Sequence, residues 1–218
     1  MGFKLATGVK YAIGTTMGSP IVVSSISNAD PAIITAPGHN LEDKAPFMLN
    51  SGWEEISDSV FRASNTALGT IELENLDTTD TILFPTGSGG GNLTPITGWT
   101  DIPNITEVAN SGGDISYVDV KLLALRYGIR IPDSVNPGST EFTIAADRKH
   151  PSWSKMERVS QARKPIAIRK TNPDGETAFA WGYFFLNSIE NVQSGQVQTV
   201  KASIATMRPW RAYVADAA

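Results

Sequence analysis

The chain has 218 residues, of which 41% are hydrophobic, and a formal net charge of −4, so it can bury a proper core as one large all-β domain or two small ones. It contains no Cys, which excludes disulfides, Cys-based zinc sites and thiol nucleophiles and fits synthesis in a reducing cytoplasm. No apolar run reaches the roughly 18 residues that a membrane span needs.

The first residues, Met1-Gly-Phe-Lys-Leu-Ala-Thr-Gly8, hold no sustained apolar stretch, so no secretory signal is expected. Ala6 stands where myristoylation needs Ser or Thr. Val9–Thr15 and Ile21–Ile26 are short strand candidates split by Met17-Gly-Ser-Pro20, and Ala32–Thr35 is a third before the turn Pro37-Gly-His-Asn40. Ala45–Leu49, Val60–Ala63 and Thr70–Glu74 follow, with Gly52–Ile56 read as a strand start and Thr81–Phe84 leading into a Gly-rich loop. Gly87-Ser-Gly-Gly-Gly91 reads as a mobile loop, and Ser57–Gly69 or Pro85–Leu93, neither with a strong apolar period, is expected to be mobile in the monomer and fixed in an assembly. Gly98-Trp-Thr-Asp-Ile102 echoes Gly52-Trp-Glu-Glu-Ile56, and we read both as strand starts anchored by a Trp.

After the Gly112-Gly113 turn, Ile115–Val120 is a strand. Lys121–Ile131 is ambiguous, because Val118, Leu122 and Leu125 are helix-spaced while Tyr127, Ile129 and Ile131 alternate. The compromise is a short helical turn before a strand, with Pro132–Gly138 as loop. Ser139–Asp147 is a strand. Trp153, Met156, Val159 and Ala162 then recur every three residues, which predicts a helix over 151–164. Pro151 suits its first position, Ser154 and Glu157 have capping-box spacing, and Pro165 ends it. Pro165–Thr171, the turn Asn172-Pro-Asp-Gly175, an aromatic strand Thr177–Ile189 and a last strand Gln196–Met207 complete the pattern. Short β runs with one convincing helix predict a mainly β sandwich or barrel with a flanking α-helix. Phe179, Trp181, Tyr183 and Phe185 share one face of the aromatic strand, and Phe184 and Leu186 share the other. Such a strand is covered on both sides, by helix or sheet on one and by another sheet or a neighbouring subunit on the other.

No chemistry stands out. The two His, His39 in a turn and His150 before the helix, lack metal-ligand spacing, and no Gly-x-Ser-x-Gly elbow offers His39 a nucleophile. Gly87–Gly91 lacks the Gly-Lys-Ser/Thr ending of a phosphate loop. Glu54-Glu55 and Glu72/Glu74 are explained by solvated strand faces. Asn92 and Asn104 match a glycosylation pattern that has no meaning in a cytosolic protein. We therefore expect no catalytic, cofactor-binding or metal-binding residue, no cofactor and no enzyme.

The charge is unevenly distributed. Residues 1–120 carry 4 Lys/Arg against 14 Asp/Glu, a net −10, and residues 121–218 carry 14 against 8, a net +6. This describes either uneven solvated faces or a subunit whose acidic part meets the basic part of a neighbour. A nucleic-acid reading of Arg148–Lys170 is opposed by the acidic residues elsewhere.

From about Gly98 to Pro209 the chain resembles the major tail tube proteins of long non-contractile bacteriophage tails. The resemblance is carried by Gly98–Ile102, Asp119-Val120, Leu125-Arg-Tyr127, Asp133, Pro137-Gly-Ser139, the helix, Pro165–Arg169, Asn172–Gly175, the strand through Gly182 and the closing strand to Pro209. Gly8–Gly14 looks like the family's first strand. Residues of about 28–80 depart from the pattern as a β extension, in which Ala32–Leu41 resembles a small β segment recurring in phage structural proteins. The resemblance implies a single tail-tube-like domain over 1–218 that forms hexameric rings stacked into a hollow tube. DNA would pass through that tube in transit at ejection. It further implies a virion tail protein, assembled in the host cytoplasm without a membrane. Implied partners are copies of itself and the tape-measure, tail terminator and distal tail proteins. Alternatives are a head–tail or baseplate adaptor ring, a β-sandwich carbohydrate-binding module with an exposed Trp53 or Trp99, and a hydrolase with His39 near a Ser or Asp.

Overall fold

The computed structural model describes residues 7–123 and 126–215. The chain runs through β1 (Lys10–Met17), β2 (Ile21–Val23), β3 (Ser25–Ile26), β4 (Ile33–Thr35), β5 (Pro46–Ser51), β6 (Ser59–Ala67) and β7 (Thr70–Leu73). It continues through β8 (Gly91–Asp101), β9 (Ile105–Ser111), β10 (Ile115–Val120), β11 (Ile129–Val135) and β12 (Ser139–Ala145). Helix α1 (Trp153–Ala162) precedes β13 (Ile166–Thr171), β14 (Thr177–Leu186), β15 (Thr199–Thr206) and β16 (Arg211–Tyr213). The protein is mainly β with one flanking helix among the described residues, as its punctuation of short apolar runs predicts.

Hydrogen bonds join the strands in the order β3-β4-β7-β6-β5-β8-β1-β13-β14-β15-β12-β9, with β2 added to β8 and β16 to β14; β10 and β11 pair only with each other. This path turns back on itself around three apolar clusters. The first, with Ile34, Phe47, Trp53, Phe61, Ile71 and Leu93, fills the unit formed by β2–β7 and the start of β8. The second lies between the sheet and α1 and holds Ile13, Phe142, Trp153, Met156, Phe184 and Ile204. The third joins the two, setting Val60 of β6 with Phe179 and Trp181 of β14 and Tyr213 of β16. Strand β6 is therefore buried on both faces, with Phe61 and Ala63 in the first cluster and Val60 in the third. The lack of a strong apolar period over 57–69 predicts mobility in the monomer. Ser59–Ala67 is instead a strand walled in by two cores.

Helix α1 packs as its three-residue spacing requires. Trp153 and Met156 are buried and Val159 packs partly against the same core, whereas Ala162 is exposed. Fully burying side chains of this size contributes about 1.5–3 kcal/mol each, enough to hold a ten-residue helix that would be marginal alone. The expected capping box is absent. Ser152 occupies the cap position without a side-chain hydrogen bond, and Glu157 accepts from the Trp153 indole Nε1 at 2.8 Å instead. At the far end Arg163 takes a left-handed conformation, φ 51, and Pro165 cannot continue the helix. Ser160 Oγ accepts the Leu186 amide at 3.0 Å, tying the helix to the end of β14.

Three local expectations are corrected. Gly52–Ile56 is a turn, not a strand start; Thr81–Phe84, which leads into the Gly-rich loop, is also a turn, its segment curled by the Asp80 carboxylate accepting the Ile82 amide at 2.9 Å and the Asp80 carbonyl accepting the Phe84 amide at 2.9 Å. Gly98–Ile102 does not begin a strand, because β8 starts at Gly91 and pairs with β5 from there. Lys121–Gly128 holds no helical turn among its described residues, and Leu125 lies outside them; β11 runs through Pro132 to Val135, where loop was expected. The Gly-rich loop is anchored. Gly89 is buried beside Trp53 and Ile26, and the Ser51 hydroxyl donates to its carbonyl at 2.9 Å.

Candidate assembly surfaces

The residues weighed for chemistry are used for packing. His39 Nε2 lies 2.9 Å from the Ala67 carbonyl oxygen and 3.1 Å from that of Thr70, stapling the turn between β6 and β7; its Nδ1 is buried with no partner. Among the described residues no Ser hydroxyl or Asp carboxylate bonds to this ring. His150 Nδ1 accepts the Ser152 amide at 3.2 Å where the chain enters α1. Among the described residues no group of three His, Asp or Glu converges as a metal site would require. Glu74 holds Arg62, Glu54 holds Arg208, and Glu72 accepts from Asn65, so neither acidic pair faces a common reacting point.

The aromatics considered as a carbohydrate platform are covered. Trp53 is 1% exposed, its indole Nε1 donating to the Pro85 carbonyl at 2.8 Å. Trp99 is half-buried beneath the Arg169 guanidinium, 4.6 Å from the ring centroid. Burial lowers the Arg169 pKa, with Asp101 nearby opposing the shift. The Gly-Trp echo thus puts a Trp on a core in both copies but on unlike backbones, a turn and a strand.

What remains on the surface has the form of contact faces. Beneath α1 the sheet β14-β15-β12-β9 is covered, but its other face is open. Register aligns Phe185, Ser203, Glu141 and Ala109 in one row across it, and Tyr183, Ala205, Ser139 and Ser111 in the next. Tyr183 and Phe185 are 36% and 46% exposed. The aromatic strand is covered on both faces only over its first half, where Phe179 and Trp181 meet β6 and β16; over its second half one face is bare. Lys201 and Glu141 approach to 3.7 Å on this face. The sheet path ends at β9, seven residues with a free outer edge. Beyond β9, no described residue of the β10–β11 hairpin belongs to any of the three cores.

An open face, a long free edge and a core-less hairpin, without a convergent polar site among the described residues, are the surfaces of a structural subunit. The family model described as "Phage tail tube protein, TTP" matches residues 51–215, most of the chain, and the protein belongs to that family. It is a structural component of the phage tail tube. No curated protein sequence matches it. Solved structures similar to it include two six-fold assemblies. One is titled "Tail of empty GTA particle computed with helical refinement, C6 symmetry", at 12% identity over 53% of this chain and 87% of that chain, with TM-score 0.41. The other is the six-fold symmetrised baseplate of the anti-feeding prophage, at 13% identity over 56% and 88%, with TM-score 0.35.

Proposed function

We propose that this protein forms closed rings of six copies, stacked head to tail into the hollow tail tube through which DNA passes at ejection. In this reading it is not an enzyme. It acts in the virion tail after assembly in the host cytoplasm, beside tape-measure, terminator and distal tail proteins. Residues 1–218 act as one tail-tube-like domain, with the β unit at about 28–80 as an extension. Family membership supports the tube, and the free edge of β9 is the observation that carries ring formation. An edge strand of this length offers a row of unpaired N–H and C=O groups that natural proteins otherwise shield. β9 carries small and polar side chains, Thr106, Ala109, Asn110 and Ser111, with one charge, Glu107. Pairing between unlike surfaces closes a ring or propagates a filament according to the rotation it imposes.

Negative-stain electron microscopy of the concentrated full chain tests the proposal. Tubes with a six-fold end view are expected. Isolated rings that never stack would place the protein as an adaptor, and monomers at all concentrations would overturn self-assembly.

A further inference from the structure

The β10–β11 hairpin has two chemically different faces. Register sets Val118 opposite Ile131 and Val120 opposite Ile129. Opposed residues share a face and so do residues two apart, so these four β-branched side chains form one continuous patch. Val118, Ile129 and Ile131 are 50%, 44% and 50% exposed. Toward the root the patch ends in the Ser116–Ser134 hydroxyl pair, 2.8 Å apart. The opposite face carries Tyr117, Asp119, Arg130 and Pro132. There Arg130 Nε donates to Asp119 at 3.0 Å and its guanidinium sits 5.6 Å over the Tyr117 ring. Ile115 and Val135 lie at the root, where the register shifts.

A two-stranded hairpin is marginal alone in water, and an apolar face of this kind needs a cover. Among the described residues nothing covers it: the four side chains belong to none of the cores. The hairpin is inserted between β9 and β12, the last pair of the sheet path, so it springs from the end of the sheet that β9 closes. Whatever pairs with β9 also lies alongside the hairpin. In a tube built from one protein that neighbour is another copy.

We propose that Val118, Val120, Ile129 and Ile131 are the buried contact face of the hairpin against a second copy of this chain, and that Tyr117, Asp119 and Arg130 face water in the assembly. This rests on the self-assembly reading above and adds which face docks. The side chains are β-branched and stiff, so burial costs them little rotamer freedom.

The absence of native Cys makes the test direct. V118C and Y117C, each labelled with an environment-sensitive fluorophore, report the two faces of the full-length protein. On assembly the V118C probe is expected to shift to the blue and lose access to a soluble quencher, while the Y117C probe stays accessible. In parallel, V118D/I131D is expected to raise the critical concentration for assembly by more than about tenfold, and Y117S/R130S by less than about twofold. The melting temperature of the unassembled protein should be unchanged in both, since neither face touches a core. Assembly of the native chain with both probes accessible, or equal loss from both double variants, overturns the proposal alone. A native chain that never assembles overturns it together with the reading beneath it.

Discussion

The Arg62 amide donates to the Tyr213 hydroxyl at 3.2 Å, joining residues 151 positions apart. Arg62 lies one residue before the β6–β7 ladder begins at Ala63, and its amide points away from β5. The phenol completes what would be an orphaned buried donor. The same arginine clamps Glu74 with its side chain, Nε to Oε2 at 2.6 Å. It also stacks 4.9 Å over the Tyr213 ring and reaches the Val214 carbonyl at 3.3 Å. One residue thereby fastens the unit inserted between β1 and β8 to the C-terminal strand lying on β14. The β2–β7 unit is held to β14 and β16 by a buried polar joint as well as by apolar contact.

Tyr213→Phe should therefore cost about 1–2 kcal/mol at neutral pH, the penalty of a buried donor left unmet. Its pH dependence separates this joint from general packing. Burial pushes the Tyr213 phenol above its ordinary value, outweighing the nearby donors and cations that lower it. A phenol with a raised folded-state pKa contributes stability that is whole below the unfolded pKa, about 10, and is lost as pH rises through the folded one. The native protein should lose stability above that pH faster than Y213F, narrowing the gap between them. Tyr11, also raised by burial, leaves both proteins a common alkaline loss. Urea melts at pH 7 and pH 11 measure this, and a gap that widens with pH contradicts it.

Glu74→Ala removes the carboxylate that clamps a guanidinium only 9% exposed, while the Glu74 side chain itself is 23% exposed. Breaking a fully buried pair costs about 3–5 kcal/mol; water reaching the Glu74 side of this one reduces the expected loss to about 2–3 kcal/mol. Combined with Y213F the effects should fall short of additivity by at least about 0.5 kcal/mol, because both act through Arg62. Additive losses would mean the two contacts are independent.

The parts of this fold that were legible are those whose signal is local. Trp153, Met156 and Val159 mark α1 by spacing, and Pro173 with Gly175 marks the turn before β14. Where long-range partners decide, local reading failed. Nothing near Ser59–Ala67 says that the segment is sandwiched between two cores, since only the packing of Val60 on Trp181 reveals the second. Pro132 argued for loop, yet it sits in β11 next to a register shift, where a missing amide is tolerated. The search for chemistry ended on no site, whereas the contact surfaces were only partly legible. Tyr183 and Phe185 read as half of a covered strand, and the one-sidedness of the hairpin depends on a register that the sequence does not print.

Gly182 tests the sheet that carries the open face. A Cβ there would lie 2.2 Å from the Ala205 carbonyl oxygen and 2.9 Å from the Thr206 Cα, both backbone atoms that cannot swing aside. Gly182→Ala should cost at least about 3 kcal/mol or leave the chain insoluble, since β14 and β15 would have to part. Gly18→Ala, whose added carbon meets only ordinary contacts with Pro95 at 3.4 Å, is the control expected to stay within about 0.5 kcal/mol. Equal melts for both variants would show that the β14–β15 approach is looser than this geometry.

The last prediction concerns the division of charge along the chain. The expected pairing of acidic residues 54–80 with a neighbour's Arg148–Lys170 loses several members to internal contacts: Glu54 to Arg208, Glu74 to Arg62, and Arg148 to Glu190 at 2.8 Å. The hydroxyl and amide of Thr79 lower the Asp77 pKa. Lys155 and Arg158 are different. They are exposed on α1 and make no ion pair among the described residues. Glu55 and Asp80 remain exposed on the acidic side. Exposed pairs contribute only about 0–1 kcal/mol each, so such contacts set register and rate while apolar burial holds the assembly. K155E/R158E should slow polymerisation, followed by light scattering, far more than it lowers the melting temperature of the unassembled protein. Raising salt should slow the native protein in the same direction, because screening acts within about 8–10 Å at physiological ionic strength. The reversed variant should lose that salt response or invert it. Polymerisation indifferent to both salt and reversal would assign the free cations of α1 to a solvated outer face and leave ring and stack register to the sheet edge and the hairpin.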